Sequence, residues 1–128
     1  MRAVAFRRPL KELKKGKFVQ SSGEFDPNHI ELNGENISRV NVIGVLVSVN
    51  PLVLDDGTDN ILVRDYSDVM KKVKENDIVK IIGKIREQGG ERFIAVESVR
   101  KVGRKEMELR KLETNTAAET LDVEEVKL

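Results

Sequence analysis

The apolar and polar positions divide the chain into three stretches of different character. The middle one is dense in β pattern. "RVNVIGVLVSV" (Arg39–Val49) is rich in β-branched residues and predicts a long strand, with Gly44 as a bulge or sharp bend at its centre. Asn50-Pro51 ends it. "LVL", "DDGTDN" and "ILVRDY" predict strand, turn and strand. "SDVMKKVKEND" (Ser67–Asp77) sets Val69, Met70 and Val73 at helical spacing behind Ser67 or Asp68 as N-cap, which predicts a short helix. "IVKIIGKIRE" (Ile78–Glu87), with Gly83 inside it, and "ERFIAVESVRKV" (Glu91–Val102) predict two more strands joined at "QGG".

The flanks differ. Residues 1–35 predict mostly irregular structure: a short strand at "AVAF", one or two helical turns at "PLKELKK" between Pro9 and Gly16, and a loop at "SSGEFDPN". Beyond Gly103, "RKEMELRKLE" predicts a charged helix with Met107, Leu109 and Leu112 on a narrow apolar stripe. "TNTAAETLDVEEVKL" is polar and acidic and predicts a frayed tail whose removal leaves stability unchanged. Five strands with a helix between the third and fourth give the fold class: all-β with short helices, a five-stranded OB-fold Greek-key barrel. The expected organisation is a basic extension over 1–35 packed on a barrel at 36–103, a helix at 104–113 and an acidic tail at 114–128.

Charge changes this picture in its distribution. The 128 residues hold 23 Lys and Arg against 22 Asp and Glu, a net charge of +1 that announces no nucleic-acid partner. Residues 1–20 carry seven Lys or Arg against Glu12 alone, a local +6, whereas residues 113–128 carry five acids against Lys127, a local −4. With no cysteine, disulfides, Cys-zinc sites and thiol catalysis are excluded. The basic N-terminus lacks an apolar signal core and no apolar run has membrane-spanning length, so a cytoplasmic protein is expected. Charged residues reach 35%, with Gln limited to Gln20 and Gln88, a bias common in thermophile proteins.

The densest candidate chemistry is the acidic knot Asp55-Asp56-Gly57-Thr58-Asp59-Asn60. A calcium loop needs glycine at its sixth position and glutamate at its twelfth. Counted from Asp55, Gly57 stands third and Tyr66 twelfth, so the pattern fails. The knot predicts a tight hairpin turn in which Gly57 takes a positive φ. His29 is the sole histidine and excludes a His-based metal cluster. No motif supports a catalytic site, a metal site or a cofactor.

The motifs in order carry a resemblance. "RVNVIGVLVSV", "VLDDGTDNILVRDY" and "NDIVKIIGKIREQGGERFIAVESV" resemble the OB-fold of the replication protein A middle subunit, and "DPNHIELNGENISRVNVIGV" is similar to archaeal replication protein A-associated OB-fold proteins. The resemblance covers about residues 3–102. It implies a single-stranded DNA-binding subunit of a hetero-oligomer with larger replication protein A-like subunits, acting in replication and repair. It carries the family's stacking aromatic onto Tyr66 and the preceding arginine onto Arg64. The family's second aromatic is missing, because the fourth strand ends Arg86-Glu87-Gln88.

The candidate nucleic-acid contacts are therefore Arg39, Asn41, Arg64, Tyr66, Lys84, Arg86, Arg92 and Phe93. Tyr66 shares strand parity with Arg64 and serves as a base platform or closes the barrel end. Phe93 substitutes for the missing platform or belongs to the core. Met107, Leu109 and Leu112 are the candidate partner contacts. Two other functions stay open: an assembly subunit that binds no DNA, which the aromatic content of 4% favours, and an RNA-binding OB module.

Overall fold

The computed structural model describes residues 5–20 and 28–114. The elements are β1 (Ala5–Phe6), α1 (Leu10–Lys15), β2 (Lys17–Val19), β3 (His29–Leu32), β4 (Glu35–Ile37), β5 (Arg39–Val49), β6 (Leu52–Asp55), β7 (Asn60–Arg64), β8 (Ile78–Gln88) and β9 (Glu91–Lys101). A further helix, α2, runs from 104 to 114, the last described residue.

β5 pairs with both β6 and β8, and the remaining pairs β6–β7, β7–β9 and β9–β8 close the ring. This is the Greek-key closure of an OB-fold, with β7 and β9 parallel and the other four pairs antiparallel. The β-branched and aliphatic residues that predict these strands also fill the barrel. Val40, Val42, Leu46, Leu54, Ile61, Val63, Val79, Ile81, Ile85, Ile94 and Val96 point inward and are buried in one cluster.

Glycines do different work from that expected at Gly44. The β5 irregularity falls between Leu46 and Ser48, not at Gly44. Gly44 is required instead by close approach: a Cβ there would stand 2.5 Å from the Asp55 carbonyl oxygen. Gly83 does sit at a register shift, between Ile82 and Gly83, where a Cβ would collide with the Ala95 carbonyl.

Within 1–35, the described residues 5–20 and 28–35 hold more regular structure than expected, and the loop expected at "SSGEFDPN" lies, but for its last residue, outside the described residues. β1 extends the sheet in parallel beside β5. β2, β3 and β4 form a second, three-stranded sheet, with β4 running across position 35. Leu10 and Leu13 of α1 and Ile30 and Ile37 of that sheet join the barrel core at 0% exposure. The missed hairpin turns at Asn33-Gly34, both at positive φ.

The helix expected over Ser67–Asp77 is absent. The segment is a series of turns, with Asp68 and Asn76 at positive φ. The Asp65 carboxylate accepts the amides of Val69 (2.9 Å) and Met70 (2.8 Å) and holds a compact turn instead. The helically spaced residues still face inward: Met70 is buried and Val69 and Val73 pack on the core. No helix among the described residues is long and apolar enough to cross a membrane.

Candidate nucleic-acid interface

Cross-strand register fixes which side chains share the outer face of the barrel. Val53, Leu62, Phe93 and Arg86 form one row across β6, β7, β9 and β8. Arg64, Ala95, Lys84 and Arg39 form the next, across β7, β9, β8 and β5. Five of the eight candidate contacts, Arg39, Arg64, Lys84, Arg86 and Phe93, are thus brought onto one face. The β8–β9 hairpin turns at its edge through Gly89 and Gly90, both at positive φ.

The cations on this face are held differently. Arg39 donates to Glu97 at 2.7 Å, a bond that holds its guanidinium still more firmly protonated. Arg64 donates to Gln88 Oε1 at 3.0 Å and Glu91 Oε1 at 3.3 Å and stacks on the Phe93 ring, 4.1 Å from its centroid. Lys84 and Arg86 have no acidic side chain at ion-pair distance among the described residues. Lys84 is exposed and Arg86 half-buried.

The other three candidates lie elsewhere. Arg92 is out of step with Phe93, and its Nη1 donates to the carbonyls of Leu13 (2.8 Å), Lys14 (3.1 Å) and Gly16 (2.7 Å). It closes the C-terminal end of α1, and Glu87 neutralises it at 3.1 Å. Asn41 is buried beneath α2, where its backbone carbonyl accepts from Arg110 Nη1 at 2.9 Å. Burial lowers the pKa of that arginine. Tyr66 lies past the end of β7, so strand parity does not extend to it; it is 70% exposed.

The partner candidates divide too. Met107 is half-buried, while Leu109 and Leu112 are 56% and 63% exposed on the side of α2 away from Arg110. A cavity of about 190 Å³ separates α2 from the knot and β5, lined in part by Arg8, Asn41, Asp56, Arg110 and Lys111.

The knot is a turn, with Gly57 at φ 92°. It has a second task that local reading missed. α1 has Pro9 at its N-cap and no side-chain cap of its own. Asp56 Oδ2 accepts the Leu10 amide at 2.9 Å and Thr58 Oγ1 the Lys11 amide at 3.2 Å, so the knot caps α1 from 46 and 47 residues away. Asp56 Oδ1 meanwhile takes the Thr58 amide and hydroxyl. Among the described residues no cluster of three or more His, Asp or Glu could hold a metal ion.

No protein-family model matches the chain. An uncharacterised protein of Methanocaldococcus jannaschii is 29% identical over 93 residues, covering 72% of this chain. The chain spans about two fifths (41%) of the length of that curated relative. Among solved structures, a chain of a replication protein A heterotrimer bound to single-stranded DNA superposes with a TM-score of 0.71 at 19% identity, over 92% of this chain and 98% of that one. A chain of the S. pombe Stn1–Ten1 complex superposes with a TM-score of 0.71 at 13% identity, over 93% and 94%. These likenesses establish the OB-fold.

Proposed function

We propose that this chain is a single-stranded DNA-binding OB-fold subunit of a replication protein A-like hetero-oligomer. The observation that carries the reading is the pair of outer-face rows, which puts Arg39, Arg64, Lys84 and Arg86 on one face with the Phe93 ring. Such a face suits a phosphate backbone with bases laid on π-surfaces. Its charged and aromatic residues come from barrel strands one, three, four and five, and strand three and the last hairpin belong to the region by which OB-folds bind oligonucleotides. The structural neighbours, one of them bound to single-stranded DNA, support the same reading. A cytoplasmic role in replication and repair goes with it, and no catalytic step is proposed.

The test is a titration of the isolated chain with single-stranded DNA and RNA oligonucleotides at two salt concentrations. Lys84→Ala and Arg86→Ala should each flatten the slope of log affinity against log salt by about 0.7, the single-strand value of one phosphate contact. Tyr66→Ala should weaken binding by about 1–3 kcal/mol with little change of slope if that ring stacks on a base. RNA preferred at equal salt would turn the reading to an RNA module.

A second reading has its own support. The exposed Leu109 and Leu112 of α2 suit a partner helix, and a subunit that mainly assembles the complex needs few aromatic platforms. It predicts co-purification with larger subunits and no shift of single-stranded DNA by the chain alone.

A further inference from the structure

Phe93 stands apart from the barrel interior. It alternates along β9 with Ile94, which is fully buried in the core, and its register partners Leu62 and Arg86 belong to the outer face. An outward phenylalanine on an open face is ordinarily exposed, yet Phe93 is 2% exposed. The Arg64 guanidinium lies on its ring, 4.1 Å from the centroid. Two groups flanking the β8–β9 turn hold the guanidinium there, Gln88 Oε1 at 3.0 Å and Glu91 Oε1 at 3.3 Å.

A guanidinium is planar and stacks on an aromatic face in the same way as a nucleobase. We infer that the Phe93 ring is a nucleobase subsite which Arg64 covers in the free protein and yields when a single strand binds. The inference rests on the DNA-binding reading and assigns Arg64 a second position. The arginine exchanges the ring for a phosphate of the same strand, and the base takes the vacated face. Little opposes the exchange. The Arg64 and Glu91 side chains are 36% and 53% exposed, so water and salt screen their pairing. A phosphate accepts two parallel hydrogen bonds from the guanidinium fork and is the stronger partner. Glu91 and Gln88 therefore act as a latch that sets the fraction of open subsites, and apparent affinity scales with that fraction.

The experiment uses the full chain and an oligothymidylate of about 16 nucleotides, the upper site size of one OB-fold, followed by fluorescence anisotropy. The double variant Gln88→Ala/Glu91→Gln releases Arg64 and should tighten binding by about threefold or more. Phe93→Leu, with a wild-type melting curve, should weaken it by about fivefold to 150-fold, the span of one base–aromatic stack. In the Phe93→Leu background the double variant should bring no gain, because the ring it uncovers is gone. A second measurement needs no variant: the Arg64 Nε–H resonance should carry a ring-current shift that disappears on adding the oligonucleotide. A gain that persists without the ring, or an Arg64 resonance unmoved while the strand binds, would overturn the latch and leave the DNA-binding reading standing. If neither wild type nor the opened variant binds the strand, both fall together.

Discussion

Asp56 shows how much one carboxylate can join. Its two oxygens serve different parts of the chain: Oδ1 folds the knot on itself through Thr58, and Oδ2 caps α1 through Leu10. Asp55 accepts only the Gly57 amide among these contacts, at 2.7 Å within the exposed turn. The two neighbours should therefore respond differently to truncation. Asp56→Ala should cost about 1–2 kcal/mol, the usual range for a lost helix cap, and Asp55→Ala clearly less, both read from urea unfolding. Equal losses would show that the link to α1 contributes nothing. Arg92 is the matching case at the other end of the helix, where one guanidinium takes three carbonyls. Neither role was legible in the sequence. Asp-Asp-Gly predicts a turn from local preference, and nothing across a separation of 46 positions tells which amides its spare oxygen will meet. An arginine beside a hairpin likewise looks the same whether it faces a phosphate or a helix end.

At the scale of elements, legibility followed the apolar pattern. Strands β5 to β9 are rich in β-branched residues, and burial alternates along β8, whose inward residues form part of the barrel wall. The helical spacing at Val69, Met70 and Val73 was equally visible but misleading, because Asp65 competes for the amides that a helix would use. Asn33-Gly34 is a strong hairpin signal, and both residues take the positive φ that such a turn requires. α2 was legible as a helix, but its docking was not. The stripe of Met107, Leu109 and Leu112 suggested a common face, whereas Arg110 supplies the inward contact and the two leucines remain outside. The outer rows are half legible: residues two apart on a strand, such as Lys84 and Arg86, share a face, but only the parallel β7–β9 register brings Arg64 beside them. The two sides of α2 should separate by experiment. Ending the chain before Arg104 uncovers Asn41 and Ile43 and should lower Tm, by about 4–8 °C for each kcal/mol lost. Leu109→Lys/Leu112→Lys should keep the wild-type Tm and, if α2 meets a partner helix, abolish co-elution with the larger subunit. A fall in Tm for the double lysine variant would place the leucines in the protein's own packing.

The whole molecule is a barrel closed at its joints by charged side chains, and these joints set its response to acid. Lys14 of α1 bridges to Asp59 of the knot at 3.2 Å. Lys101 of β9 bridges to Asp77 at the entrance of β8 at 3.3 Å. The Asp77 backbone also ties this entrance to β5, where its carbonyl accepts the Leu46 amide at 2.9 Å. Both carboxyls are shifted below their ordinary value of 3.8, Asp59 chiefly by the Asn60 amide and then by Lys14, Asp77 chiefly by the Lys74 amide and then by Lys101. A carboxyl whose folded pKa lies below its unfolded one binds fewer protons in the folded state. Its stabilisation is complete above the unfolded value and is lost as pH falls through the folded one. Thermal stability should accordingly be level in these two contributions near neutrality and decline from about pH 4 downward. Asp77→Asn keeps an oxygen for the Lys74 amide but removes the titrating charge. It should melt lower than wild type at neutral pH, and the gap should narrow as the pH falls below the ordinary carboxyl value and the wild-type carboxyl takes up its proton. Melting curves of the two proteins across that range decide the matter. A gap that stays constant would mean that Asp77 acts through its shape and hydrogen bonds alone, and that the joint between β8 and β9 draws nothing from its charge.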